Sequence, residues 1–128
     1  MKTKTKVKVD ELVIDGTTYV PKDSIPQEAE SVDGMPFVMV RTYSAGVHCG
    51  YLKSRDGKEV SLVGSIRIWK WEGAASLSQL SMEGTNSPNN CKFGMPISTE
   101  VILTESIEVI KMTETAKQSI QNTPSWKS

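Results

Sequence analysis

The sequence predicts an α+β fold that is mainly β: an antiparallel meander or small barrel-like sheet with an N-terminal hairpin and one or two short helices. Three β-favouring runs between residues 37 and 71 are separated only by short turns, as in a meander. Asp15-Gly16 lies between two further β-favouring runs, which is the strongest short hairpin signal. At 128 residues and 38% apolar composition, the chain has the size of one small domain with a modest core.

The ends of the chain differ in composition from its middle. Residues 1–10 alternate Lys with Thr or Val, and we expect them to be frayed or disordered. The hairpin is expected at about 11–20, and the Pro-rich, acidic stretch after it breaks any periodicity. The predicted organisation is a basic flexible leader at 1–10, hairpin and linker at 11–35, a main β-rich domain at 36–121 and a flexible tail at 122–128.

Within the main domain, alternation and turn residues predict strands at 37–43, 47–54 and 59–71. The segments 101–103 and 107–110 are expected as one bent strand or two short ones. Two helices are also expected. Ser76 followed by Gln79 fits a capping box for a helix at 76–83, and Thr113 is placed to cap a helix at 114–120. The intervening 85–96 is rich in Asn, Ser, Pro and Gly, which predicts a long loop.

Charge is balanced overall but unevenly distributed. Fifteen Lys and Arg residues oppose fifteen Asp and Glu residues, which argues against a generally basic nucleic-acid coat. The leader holds Lys2, Lys4, Lys6 and Lys8, so the rest of the chain has a small acidic excess. An anion bound by that part of the chain must therefore be held by a specific pocket and not by a general field.

Targeting and metal signals are weak. No apolar run is long enough for a secretory signal or a membrane span, so we expect a soluble intracellular protein without membrane contact. Cys49 and Cys91 are too few and too far apart for a disulfide framework or a paired-cysteine zinc motif. His48 is the single histidine, and a zinc site needs three or four ligands. Neither a metal nor a cofactor is predicted.

Enzyme signatures are absent from the sequence. There is no P-loop, dinucleotide-type glycine fingerprint, HExxH motif or nucleophile elbow. Adjacent strand residues point to opposite faces, so His48 cannot serve Cys49 as a base. The spacing of Glu72 and Glu83, or of Glu105 and Glu108, does not single out either pair as acid and base. We expect no catalytic activity.

One predicted sheet face combines arginine with aromatic side chains. Along the third strand, alternation places Val60, Leu62, Ile66 and Ile68 on a core face with Gly64, and Arg67, Trp69 and Trp71 on the other. Arginine and tryptophan together suit the binding of a planar anionic group or a subunit interface. The alternative is a second core layer for the aromatics and solvated ion pairs for the arginines. The candidate ligand-binding residues are Arg41, Tyr43, Ser44, Gly46, Arg67, Trp69 and Trp71.

Several segments resemble a family of small tailed-bacteriophage and prophage proteins without established function. They are VRTYSAGV at 40–47, GYL at 50–52, SRDGKEV at 54–60, IRIWKW at 66–71, GAASLSQL at 73–80 and ILTESIEVI at 102–110. Together they span about residues 37–111. The resemblance implies the cytoplasm of a bacterial host, but no reaction and no assigned site.

This phage context implies an accessory role. We expect a non-catalytic homo-oligomer that binds and sequesters a small nucleotide-derived ligand, such as a host immune signal. Such a protein needs aromatic stacking surfaces and arginines or backbone amides to hold phosphates. Two alternatives stay open: a single-stranded nucleic-acid-binding protein, and an inhibitor that binds a host protein through its tryptophans.

Overall fold

The structure, a computed structural model of the chain, describes Leu12–Ile14, Thr17–Tyr19 and residues 27–128. The predicted basic leader, the Asp15-Gly16 turn and the first part of the predicted linker, residues 21–26, lie outside these residues. Strands β1 (Leu12–Ile14) and β2 (Thr17–Tyr19) pair antiparallel, with Val13 opposite Thr18. The N-terminal hairpin expected from the sequence is therefore present as an antiparallel pair.

The main sheet has six strands and is antiparallel throughout. Its centre is the predicted meander, and the predicted fold class, α+β and mainly β, is confirmed. The strands are β3 (Phe37–Thr42), β4 (Val47–Asp56), β5 (Glu59–Lys70), β6 (Lys92–Phe93), β7 (Val101–Leu103) and β8 (Ser106–Lys111). Their spatial order is β6-β5-β4-β3-β8, and β7 pairs with the first half of β5. The sheet is open, so the barrel-like alternative is not adopted.

The last two strands are separate elements with different partners. β7 pairs with β5 through Val60 opposite Leu103, whereas β8 pairs with β3 through Val40 opposite Val109. Between them the chain passes the tip of the β4–β5 hairpin, where the Ser106 N–H donates to the Lys58 carbonyl at 3.0 Å. The hairpin tip therefore lies over one face of the sheet.

Two helices cover the opposite face. In α1 (Leu77–Glu83) the Ser76 hydroxyl accepts from the Gln79 N–H, and the Gln79 amide oxygen accepts from the Ala75 N–H. In α2 (Glu114–Asn122) the Thr113 hydroxyl accepts from the Ala116 N–H. Both caps are those expected from the sequence. The predicted loop 85–96 also contains a 3-10 turn, Pro88–Asn90, and the short strand β6.

The sheet separates two hydrophobic clusters. The larger lies under the helices and includes Phe37, Met39, Cys49, Ile66, Ile68, Leu80, Phe93, Met112 and Ile120. The smaller lies under the hairpin tip and contains Val38, Val40, Val60, Leu62 and Leu103. The expectation that Val60, Leu62, Ile66 and Ile68 share one face is therefore wrong.

A β-bulge explains this difference. Between the pairs Cys49–Ile66 and Tyr51–Val63, β4 supplies one residue, Gly50, and β5 supplies two. One of these two, Gly64, has φ +63°, a conformation that glycine adopts without strain. The extra residue shifts the alternation of β5, so its first half faces the small cluster and its second half faces the large one.

Candidate ligand-binding cleft

A cleft of about 420 Å³ lies where the β3–β4 turn meets the end of β5. It is lined by Ser44, Ala45, Gly46, Arg67, Ile68 and Trp69. Four of the seven predicted site residues thus come together here, although they are some twenty positions apart in the chain. Antiparallel pairing of β4 with β5 is the cause, because it places the start of β4 beside the end of β5.

Thr42 closes the turn that forms one wall. Its hydroxyl donates to the Gly46 carbonyl at 2.7 Å and accepts from the Ala45 N–H at 2.8 Å, while its own N–H donates to the Gly46 carbonyl at 3.0 Å. The Ser44 hydroxyl donates to the Glu105 carboxylate. The Ala45 amide and the Ser44 hydroxyl are therefore engaged within the protein, so the positive character of the cleft comes mainly from Arg67.

Arg67 extends over the Trp69 ring. Its guanidinium carbon is 5.3 Å from the ring centroid, a cation–π distance. Its Nε is buried without a hydrogen-bond partner, and none of the ion pairs between described residues includes Arg67. The Arg67 side chain also lines the cleft, where the other N–H groups of its guanidinium can donate to an anionic ligand.

His48 lies beside Arg67 and below the turn. It is fully buried and sits directly opposite Arg67 in the β4–β5 pairing. Nε2 is 2.9 Å from the Ala45 carbonyl, which can only accept, so Nε2 carries the proton. Burial lowers the pKa of His48 below 6.5, and the nearby Arg67 cation lowers it further, against the opposing effect of the Ala45 carbonyl. The ring is therefore neutral at pH 7, with Nδ1 as an unpartnered acceptor.

Trp69 is 57% exposed, so it is a surface residue and not part of a second core layer. Its ring meets that of Trp126 edge to face, with centroids 6.1 Å apart and planes at 71°. Lys92 lies 5.0 Å above the Trp126 ring. Trp126 falls in the predicted tail, and composition offered no reason to join it to β5. Its backbone N–H donates to the Phe93 carbonyl at 2.8 Å.

The other three predicted residues lie elsewhere. Arg41 forms an exposed ion pair with Glu108 at 3.1 Å, Tyr43 is 80% exposed beyond the end of β3, and Trp71 packs against the core under the helices. Register explains the position of Arg41. It lies opposite Val47, which lies opposite Ile68, so Arg41 and Arg67 are on opposite faces of the sheet.

Cys49 and His48 are adjacent in β4, and their side chains lie on opposite faces of the sheet. Cys49 is fully buried in the larger cluster, and burial raises the pKa of its thiol well above the ordinary range. His48 faces the other side of the sheet.

Among the described residues, no three His, Cys, Asp or Glu side chains are grouped as metal ligands would be. Helices within the described part of the chain are all too short or too polar to span a membrane.

The fold and the cleft define a small, mainly antiparallel α+β domain with a cationic, aromatic surface site. The chain belongs to the family described as a domain of unknown function (DUF6948), whose model matches residues 35–120. No curated protein and no solved structure matches the chain.

Proposed function

We propose that this chain is a non-catalytic accessory protein of a tailed phage or prophage. It binds and sequesters a nucleotide-derived ligand, such as a host immune signal, in the cytoplasm of the bacterial host, and acts as a homo-oligomer. The observation that carries the proposal is Arg67: a cation that lines a cleft beside a half-exposed tryptophan and that forms no ion pair with any described residue.

The chemistry of the cleft supports a ligand with phosphate and a planar ring. A guanidinium binds phosphate through paired, charge-assisted hydrogen bonds, and an indole ring stacks on a nucleobase. The volume of about 420 Å³ lies in the range of small-molecule sites, roughly 300–1,000 Å³. The Ser44–Glu105 contact adds a carboxylate near the rim, which favours a ligand that also offers hydrogen-bond donors, such as ribose hydroxyls.

The absence of catalysis is part of the proposal. The Cys49 thiol is buried in the core on the face of the sheet away from Arg67, and burial raises its pKa. His48 is enclosed below the turn. Binding by Arg67 and Trp69 needs no reacting group, which is consistent with sequestration.

Capture and release of intact ligand tests the proposal. The purified protein is incubated with cyclic dinucleotides and with ADP-ribose-type signals, desalted, heated, and the supernatant is examined by mass spectrometry. We expect one of these nucleotides to be recovered unchanged from the wild-type protein and not from Arg67→Ala. Recovery of none of them contradicts nucleotide binding, whereas recovery of a hydrolysed product contradicts the non-catalytic role.

A second candidate is binding of single-stranded nucleic acid. The observation that favours it is the pair of half-exposed tryptophans, Trp69 and Trp126, each with a cation over its ring. Bases of a strand stack on such rings in succession. Salt separates the two candidates, because affinity for a strand falls steeply with salt through counterion release at many phosphates, whereas a nucleotide with few phosphates responds much less.

A further inference from the structure

Trp126 and Lys92 continue the site beyond the cleft. Contacts run in series from the Arg67 guanidinium to Trp69 (5.3 Å), from Trp69 to Trp126 (6.1 Å) and from Trp126 to the Lys92 ammonium (5.0 Å). Both rings are about half exposed. The surface therefore carries two cation–ring pairs side by side.

Among the described residues, Lys92 has no ion-pair partner. Lys92 lies opposite Lys70 in the β5–β6 pairing, an arrangement of like charges that disfavours pairing. Lys70 is compensated by Glu72 at 3.3 Å. In the described part of the chain, no ion pair includes Lys92, just as none includes Arg67. Two uncompensated cations thus flank two exposed rings.

The backbone holds Trp126 in place. Its N–H donates to the Phe93 carbonyl at 2.8 Å, and Ser125 forms a parallel bridge with Phe93. The indole is nevertheless exposed, so the backbone is anchored while the ring remains accessible. Trp126 also lies beyond residues 35–120, to which the family model extends.

We infer that Trp126 and Lys92 form a second subsite, and that the ligand class is a dinucleotide. This inference rests on the proposed function of the Arg67–Trp69 cleft. One base rests on Trp69 with its phosphate at Arg67, and the second base rests on Trp126 with negative charge near Lys92. Because the two indole planes meet at 71°, the two bases are splayed and do not stack on each other. A mononucleotide reaches only one half of this surface.

Calorimetric titration with three adenine probes tests the inference. The probes are AMP, the linear dinucleotide pApA and cyclic di-AMP; adenine is suitable because stacking on an aromatic ring tolerates every base. For the wild-type protein we expect at least one dinucleotide to bind about tenfold more tightly than AMP, in line with one additional stacked base. Trp126→Ala and Lys92→Ala should each remove most of this advantage, measured as the ratio of dinucleotide affinity to AMP affinity in the same variant.

Matched variants make the result specific. Trp126→Phe keeps a ring and should retain most of the dinucleotide preference, while Tyr43→Ala removes an exposed aromatic outside the cleft and should change nothing. Thermal melting checks that each variant is folded. Equal affinity for AMP and both dinucleotides, or a dinucleotide preference that survives Trp126→Ala, overturns the second subsite and leaves nucleotide binding intact. If no probe binds, both the second subsite and nucleotide binding are overturned. Much tighter, salt-sensitive binding of an oligo(dA) of eight nucleotides overturns the dinucleotide class in favour of a strand.

Discussion

His48 and Arg67 face each other across the β4–β5 pair, and both carry a buried nitrogen without a hydrogen-bond partner. Burial of the imidazole costs little free energy because the ring is neutral. The guanidinium cannot become neutral, so its free energy depends on what it contacts. The same strand pair therefore holds a titrating group and a fixed cation at the base of one cleft, and the charge of His48 is coupled to that of Arg67.

This coupling predicts a pH dependence of stability. Burial and Arg67 lower the pKa of His48 below 6.5 in the folded protein, so the unfolded chain binds more protons as the pH falls. The contribution of His48 to the free energy of unfolding is complete above pH 6.5 and is lost as the pH falls toward the folded-state pKa. The slope for one proton is at most about 1.4 kcal/mol per pH unit. Urea denaturation at pH 7.5, 6.0 and 5.0 measures it.

His48→Gln is the control for this prediction, since the amide can still donate to the Ala45 carbonyl but does not titrate. Hydrogen bonds from Ser61 and Gln118 lower the pKa values of Glu100 and Glu114 below 4.5. The stability that these two carboxylates contribute therefore changes with pH mainly below the range used. The variant should lose most of the slope between pH 6.5 and 5.0. An unchanged slope would assign the effect to other groups.

The two arginines provide a matched pair for ligand binding. Arg67→Ala should weaken nucleotide binding by roughly ten- to a hundredfold, the range for losing a charge-assisted hydrogen bond of about 1.5–3 kcal/mol. Arg41→Ala removes the same charge from the opposite face, together with an exposed ion pair worth about 0–1 kcal/mol, and should leave affinity within about twofold. Titration calorimetry on both variants decides, and equal losses would mean that overall charge and not the cleft binds the ligand.

Tryptophan truncations separate the site from the core. Trp69 is half exposed, so Trp69→Ala should abolish binding and cost less than about 1 kcal/mol of unfolding free energy. Trp71 packs against the helical core, so Trp71→Ala should cost about 2–3 kcal/mol, somewhat less than a fully buried aromatic. Chemical denaturation gives both values. A larger loss for Trp69→Ala than for Trp71→Ala would show that their roles are reversed.

Local patterns were enough to predict most elements of the fold. Turn residues predicted the β3–β4 and β4–β5 connections, and the Ser76 and Thr113 caps predicted both helix starts, because these signals depend only on neighbours in the chain. Alternation within β5 failed at Gly64, where one extra residue changes the faces. A bulge is set by pairing with β4, so the strand alone does not contain it.

The candidate site was predictable to the extent that it follows one strand. Arg67 and Trp69 share a face because they are two positions apart. Whether residues of β3 and β5 share a face depends on the register between the strands. That register places Arg41 on the opposite face of the sheet from Arg67. Trp126 joins the site through a backbone contact with Phe93, and Lys92 joins it through a two-residue strand. No local sequence pattern predicts either of these features.

The cap of α2 should matter more than the cap of α1. The Thr113 hydroxyl is buried, accepts from the Ala116 N–H at 3.1 Å and donates to the Met82 carbonyl at 2.6 Å, so it joins both helices. Thr113→Ala should cost about 2 kcal/mol, the upper end for a helix cap, while Ser76→Ala at the exposed cap should cost about 0.5–1 kcal/mol. Thr113→Ser should restore most of the loss. Denaturation midpoints compare the three, and equal costs at the two caps would refute the bridging role.

Gly50 tests the close approach of β4 and β5 at the bulge. A Cβ at this position would lie 2.9 Å from the Cα of Ser65, a backbone atom that cannot move aside without shifting the strand. Gly50→Ala should therefore lower the free energy of unfolding by about 1–3 kcal/mol, as overpacking does. At Gly94 the nearest atom to an added Cβ is 3.6 Å away, so Gly94→Ala should stay within about 1 kcal/mol of wild type. Equal stability of the two variants would mean that β4 and β5 separate readily at the bulge. The bend that divides the two clusters would then not require glycine at position 50.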